Sequence, residues 1–323
     1  MSRIDEALKR ARAAGDNPPV TDAPQTDIPP IDSTAVVPPA TTFVAPWEFG
    51  QAATDPEPVR HPAPVVPRAP ARHVHGALAR VESGDLAVFK GFNRKVVEKL
   101  VVDSGAPPTC VEQFRKLAGT LHHAQLDRNI KVVMVSSAIA GEGKTLTATN
   151  LALTLSESYK RDVLLIDADL RRPTLHELFN VPNDSGLGEG LKAESEQKLP
   201  IIRVSSKLSL LTAGRPDPDP MSGLTSRNMR RIVEEATARF DWVIIDTPPI
   251  GLLPDANLLA EMVDGTLLVV GAGQTPYTLV ERAVEALGRE RILGVVLNRV
   301  EEGHTFGGYK YYSYYSRYGR KTT

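Results

Sequence analysis

Cysteine is nearly absent from this chain. There is one in 323 residues, Cys110, which excludes an internal disulfide and fits a reducing compartment. Excess charge is also missing: the formal net charge is −1, so there is no global bias toward nucleic acid or an anionic membrane, and no nucleic-acid partner is expected. No uninterrupted apolar run approaches the ~18 residues that a spanning helix needs. The opening MSRIDEALKR is charged throughout and reads as no signal peptide. A cytoplasmic protein is expected, held at a membrane only through another protein. Aromatic residues make up 6% of the chain, yet six of its eight tyrosines crowd into one C-terminal stretch, YKYYSYYSRYGRKTT. Exposed aromatics lower solubility, so their presence in a terminal tail calls for a reason.

With 41% hydrophobic residues the chain is able to bury a sizeable core, but not along its whole length. Fourteen of its 26 prolines fall in the first 70 residues. Residues 1–15 read as a short amphipathic leader helix, capped by Ser2, striped by Ile4, Ala7, Leu8 and Ala11, and ended by Gly15. Residues 16–84 read as a disordered Pro-rich linker, residues 85–302 as the folded domain, and residues 303–323 as a flexible tail.

Within the folded part a helix is predicted over 111–126, with Val111, Phe114, Leu117 and Leu121 on one side. Strand-like runs follow at 131–137, 162–169, 208–214, 242–249, 265–272 and 292–298, most of them separated by helical patterns such as 144–158. A further helix is predicted to begin near Ser222. Near-continuous Val/Ile/Leu strands with helical crossovers predict an α/β fold: a mostly parallel sheet covered by helices on both faces.

The first of these strands runs into SSAIAGEGKTLTATNLA. From Ala138 to Thr145 this is A-x-x-x-x-G-K-T, a phosphate-binding loop between a strand and a helix, with Ala138 in place of the usual first glycine. Small residues let backbone N–H groups curl around a phosphate, and the helix aims its positive end at the same anion. Ala140, Gly141, Glu142, Gly143, Lys144, Thr145 and Leu146 are the expected nucleotide-binding positions. Lys144 would reach the β/γ-phosphates, its expected partner being the nucleotide alone, and the Thr145 hydroxyl would ligand Mg²⁺. Two other strands end in acid. VLLIDADLRRP brings Asp167, Asp169 and Arg171, and WVIIDTPP brings Asp246. The carboxyl ends of strands in such sheets line the ligand crevice, so these carboxylates should face the Mg²⁺ of a bound ATP. Asn298, ending the last strand beside Arg299, is expected to border the adenine. His122–His123 read as ordinary helix surface, since no third metal ligand is evident.

From about Glu112 onward the chain resembles the bacterial tyrosine kinases of capsule and exopolysaccharide synthesis, P-loop proteins unrelated in fold to eukaryotic-type kinases. The resemblance lies in the Walker A pattern at Ala138–Thr145, the Walker A′ pattern LLIDADLR at 164–171, the Walker B pattern VIID at 243–246 and the tyrosine cluster at 309–318. The leader SRIDEALKRA is similar to that of stand-alone members. The resemblance implies an ATP- and Mg²⁺-dependent protein-tyrosine kinase with catalytic Lys144, Asp167, Asp169, Arg171 and Asp246. Thr145, Asp167 and Asp246 would serve the metal, and Tyr309, Tyr311, Tyr312, Tyr314, Tyr315 and Tyr318 would be the acceptors. It also implies a membrane chain-length-determinant adaptor, a cognate tyrosine phosphatase and a homo-oligomer as partners. The family's ring-forming E-x-x-R-x-x-R is kept at Glu112 and Arg115 and broken at Ala118, leaving oligomer size open.

The tail then has a reason. Its six phenols lie beside Lys310, Arg317, Arg320 and Lys321 with no acid, so it is attracted to a site of triphosphate and carboxylates. Each phosphorylation adds about −1.5 to −2 charges, so three reverse its sign. The alternative is a dimerising ATPase switch of the partition and septum-site type. Such proteins carry a second lysine near the loop's start, where this chain has Ile139.

Overall fold

The structure is a computed structural model and describes residues 89–193, 199–251 and 255–300, together with the backbone of 78–80. The expected leader helix, most of the stretch read as linker and the tyrosine cluster lie outside the described residues.

The predicted strands form, in one sheet. In chain order the elements are β1 (Leu78–Arg80), α1 (Pro108–Arg128), β2 (Val132–Ser137), α2 (Lys144–Glu157), β3 (Val163–Asp167), α3 (Leu175–Leu178) and α4 (Leu187–Lys192). Then come β4 (Leu199–Arg203), β5 (Leu208–Leu211), α5 (Met221–Leu224), α6 (Arg227–Arg239) and β6 (Trp242–Asp246). The chain continues through α7 (Asp255–Ala260), β7 (Gly265–Gly271), α8 (Tyr277–Leu287) and β8 (Ile292–Asn298). Strand order is β1-β4-β5-β3-β6-β2-β7-β8. The six strands from β5 to β8 pair in parallel. The exception is β4, antiparallel to β5 because only a tight turn joins them. On its far side β1, within the stretch read as linker, pairs parallel to β4.

Element boundaries follow local chemistry. Pro107 caps α1 and Pro108 opens it, where a missing N–H costs nothing, so the helix starts three residues before the predicted 111. The helix expected near Ser222 is two pieces: the single turn α5, then α6, whose cap Ser226 accepts from the Met229 N–H at 3.3 Å. β6 stops at Asp246 rather than 249, because Pro248 and Pro249 have no N–H to give a ladder.

Strand alternation divides the core into two layers. Met134, Leu164, Ile166, Val243, Ile245 and Leu268 face α6, α7 and α8 on one side. Val133, Val135, Leu165, Ile244, Leu267 and Val269 face α1 and α2 on the other. On α6 the buried Met229, Ile232, Val233 and Ala236 repeat at helical spacing. Each large side chain so buried contributes about 1.5–3 kcal/mol. Among the described residues no helix is long and apolar enough to cross a membrane.

This topology makes the site. β2 lies mid-sheet with β6 on one side and β7 on the other, and the chain leaves β2 for β3 beyond β6. Strand order reverses there, opening a crevice above the carboxyl ends of β2, β3 and β6.

Candidate active site at the carboxyl edge of the sheet

The loop 138–143 leaves β2 and delivers Lys144 as the first residue of α2. Gly141 and Gly143 have φ of 85° and 91°, a left-handed backbone that favours glycine. A Cβ on Gly143 would also collide with the Asn298 side-chain amide. The loop's back is fully bonded. Glu142 is 3% exposed, and its Oε2 accepts from the Ile139 N–H at 2.8 Å. Its Oε1 accepts from the Gly271 N–H at 2.9 Å and from the Thr275 hydroxyl. Asn298 Nδ2 donates to the Glu142 carbonyl at 2.8 Å. The Arg299 guanidinium donates to the Gly141 carbonyl and, at 2.6 Å, to Gln274 Oε1. Glu142 therefore serves the loop through its backbone in front and its carboxylate behind. Sequence reasoning missed this brace, since a glutamate inside a glycine-rich loop carries no sign of where its carboxylate will go. Asn298 and Arg299, expected beside adenine, clasp the phosphate loop itself.

The other side of the crevice holds the acids. Asp167 and Asp246 are register partners at the ends of β3 and β6, and both are fully buried. Asp167 Oδ2 accepts from the N–H groups of Thr174 (3.1 Å) and Leu175 (3.0 Å) at the start of α3, and its Oδ1 accepts from the Asp169 N–H at 3.2 Å. Asp246 makes no hydrogen bond through either carboxylate oxygen. Lys144 Nζ lies 3.0 Å from Asp169 Oδ2, 3.8 Å from Asp246 Oδ1 and 3.4 Å from the Thr145 hydroxyl. Thus Lys144 does not wait unpartnered for a nucleotide, as expected from sequence; it neutralises part of the carboxylate cluster.

The electrostatics follow from crowding. Burial pushes the Asp167 carboxyl up to about 7, helped by the charge of Asp246 and opposed by the Leu175 and Thr174 N–H groups. Burial likewise raises Asp246, to about 6, against the pull of Lys144. Burial lowers Lys144, but the charges of Asp246 and Asp169 outweigh it and leave its pKa raised. Three acids crowd round one ammonium, so the cluster is short of positive charge. A divalent cation would meet that shortage, and Asp246 offers two buried oxygens that accept no hydrogen bond. Among the described residues no three His, Cys, Asp or Glu side chains converge into a metal cage. Mg²⁺ takes one or two protein ligands and completes its shell with phosphates and water. The donor set of Thr145, Asp167 and Asp246 fits.

Arg171 is engaged elsewhere. Its Nε and NH2 grip buried Asp255 of α7 at 2.7 and 3.3 Å, and its NH1 donates to the Pro218 carbonyl. In this structure it braces the turn after β3, its fork taken by a bidentate carboxylate. Ala140 and Gly141 sit exposed on the loop crest, and Leu146 is half-buried on α2. The six tail tyrosines lie outside the described residues. His122 and His123 sit on α1, rings 6.4 Å apart. Of the family's ring motif, Glu112 and Arg115 pair with each other at 2.6 Å, while Ala118 is fully buried in the core.

Residues 133–312 match the family described as the CobQ/CobB/MinD/ParA nucleotide binding domain. Over 207 residues the chain is 39% identical to the tyrosine-protein kinase YwqD of Bacillus subtilis (strain 168), covering 63% of this chain and 85% of that one. It is 30% identical to the putative tyrosine-protein kinase CapB of Staphylococcus aureus over 224 residues, 68% of this chain and 97% of CapB. The solved kinase domain of Escherichia coli tyrosine kinase ETK superposes with a TM-score of 0.58 at 32% identity, over 65% of this chain and 84% of that domain. A phosphate loop backed by buried acids, on a sheet shared with these relatives, places the chain in the bacterial tyrosine-protein kinase family.

Proposed function

We propose that this kinase takes Mg-ATP in the crevice above β2 and transfers the γ-phosphoryl group to tyrosine hydroxyls, first those of its own tail at Tyr309, Tyr311, Tyr312, Tyr314, Tyr315 and Tyr318. The observation that carries the reading is Lys144 Nζ held between Asp169 and Asp246 at the mouth of the phosphate loop. An incoming triphosphate competes for that ammonium and draws it off the carboxylates. Loop N–H groups from Ala140 to Thr145 and the positive end of α2 hold the β/γ-phosphates. Mg²⁺ would supply charge neutralisation at the phosphates, and Thr145, Asp167 and Asp246 are the residues that would hold it.

Phosphoryl transfer is mostly positioning and electrostatics. Lys144 stabilises charge on the transferring group. Asp169 is better placed than Asp167 to accept the phenol proton: Asp167 is fully buried and tied by three N–H groups, whereas Asp169, 6% exposed, holds one N–H, that of Arg172, besides Lys144. The phenol oxygen bonds to phosphorus as the bridging oxygen departs with ADP, and its proton passes to Asp169. Asn298 and Arg299 keep the loop in shape during this exchange. Arg171, through Asp255, fixes the turn after β3.

A tail of net positive charge is attracted before reaction and repelled after it, so we assign the tail the role of a charge-reversing acceptor, chiefly in a neighbouring copy. Regulation of exopolysaccharide or capsule polymerisation and export is the biological setting. A membrane adaptor, a tyrosine phosphatase and a second copy of the chain are the proposed partners, with the kinase peripheral to the membrane through the adaptor. Purified protein incubated with Mg-ATP should become phosphotyrosine-positive on the tail peptide by mass spectrometry. Steady ATP hydrolysis with an unmodified tail would favour the ATPase switch instead.

A further inference from the structure

The helices that carry the site, α2 and α3, are both held by a segment that touches no reacting group. Residues 89–103 run across them before α1 begins. On α2, six residues beyond Lys144, Asn150 is 3% exposed and grips this segment twice. Its Oδ1 accepts from the Val101 N–H and its Nδ2 donates to the Lys99 carbonyl, each at 2.9 Å. Between those two bonds Leu100 is fully buried. On α3, the Leu178 carbonyl accepts from the Asn93 N–H at 2.9 Å, and the Glu177 carbonyl accepts from Asn93 Nδ2 at 3.4 Å. Phe89 and Phe92 pack on the fully buried Phe179 with ring centres 6.0 and 5.2 Å away.

The consequence lies at the other end of α3. That helix is a single turn, too short to stand by itself. Its first N–H groups hold Asp167 while its last carbonyls are held by residue 93. We propose that residues 89–103 form a strap whose seating on α2 and α3 positions Asp167 for Mg-nucleotide, with Asn93 and Asn150 as positioning residues. In chain order the strap lies between β1 and α1. This deepens the kinase reading and rests on it.

The test uses the full chain with Asn150→Ala, which deletes both strap bonds and leaves a good helix former on α2. Hydrogen exchange should accelerate at amides 99–103 and also at 174–179. Affinity for a fluorescent ATP analogue in Mg²⁺ should fall roughly fivefold to tenfold, the size expected for one or two lost bonds. In phosphotyrosine assays KM for ATP should rise by a similar factor while kcat changes less than about twofold. Asn150→Asp, which keeps the acceptor for Val101, should recover part of the loss. Met229→Ala, in the opposite core layer, should lower Tm without moving the affinity. Faster exchange confined to 99–103, or an equal affinity loss in Met229→Ala, overturns the strap. If Asn150→Ala does not fold, Phe92→Leu on the half-buried rim carries the same readouts. A wild type that makes no phosphotyrosine overturns the kinase reading instead, while exchange and nucleotide affinity still decide the strap.

Discussion

The two walls of the phosphate crevice are built on opposite principles. Behind the loop, Glu142 satisfies three donors, and Asn298 and Arg299 satisfy the loop carbonyls. In front, Asp169 and Asp246 share one lysine beside Asp167, and neither carboxylate oxygen of Asp246 accepts a hydrogen bond. A satisfied network is rigid, whereas an unsatisfied one is raised in energy until a ligand completes it. The loop is thus fixed where shape matters, and left short of positive charge where a cation and a triphosphate must enter. Binding free energy is available at the front because the apo protein has not spent it on internal contacts.

The largest effect should come from removing the front wall's one cation. Lys144→Met is expected to lower tail phosphorylation by at least about a thousandfold, as with other charge-stabilising groups aimed at a transition state. Because Lys144 pairs with Asp169 and Asp246 in the unliganded protein, the variant should also lose stability above neutral pH. Thermal denaturation at pH 5 and pH 8 checks this, and an unchanged Tm at both would deny the pairing.

Breaking the back wall should have the next largest effect. Glu142→Ala strips the Ile139 and Gly271 N–H groups of their acceptor in a buried place, at about 1–3 kcal/mol for each group left unpaired. Urea titration should show that loss, and nucleotide affinity should fall with it. Glu142→Gln retains an acceptor and should fall between.

A third prediction sets the walls against each other through pH. Asp167 and Asp246 have folded pKa values raised above the ordinary carboxylate value, to about 7 and about 6. Between roughly pH 4 and pH 7 the folded state therefore binds more protons than the unfolded chain, and stability contributed by these groups falls as pH rises. Asp246→Asn should flatten that slope in urea titrations across the window, whereas Met229→Ala should lower stability and leave the slope in place. Saturating Mg-nucleotide should flatten the slope as well.

The smallest effect is expected at Arg299→Ala. Gln274 and the Gly141 carbonyl lose a partner near solvent, and nucleotide affinity should weaken by a factor of about two to five, consistent with one exposed bond. A loss as large as that of Glu142→Ala would mean that Arg299 contacts the nucleotide directly.

How far the residues alone revealed this arrangement differs between the walls. The front wall was legible: Asp167 and Asp246 end aliphatic runs, Asp169 comes two residues later, Lys144 and Thr145 follow a strand and a glycine-rich loop, and a parallel sheet carries such positions to one edge. The back wall was not. Its bonds join Glu142 to Gly271 and Thr275, more than a hundred residues on, and no local pattern encodes such a pairing. Arg171 illustrates the same limit. Its place in the Walker A′ pattern suggested chemistry, and only the fold revealed Asp255 within reach of its fork. Likewise β4 escaped the sequence reading, since LPIIR is short and pairs only with the short strands β1 and β5.

By itself the sequence determined the fold class, the six strands from β5 to β8 in the sheet, the loop chemistry and the acids at strand ends, because these depend on period, turn chemistry and near-neighbour spacing. Tertiary structure alone decided which strand lies beside which, and so which carboxylates come to share Lys144 and which oxygens stay unpartnered. It also decided that Asn150 should grip the strap 49 residues earlier in the chain. The physical reason is that hydrogen bonds and charges act over a few ångströms in space, whereas sequence patterns report only neighbours along the chain.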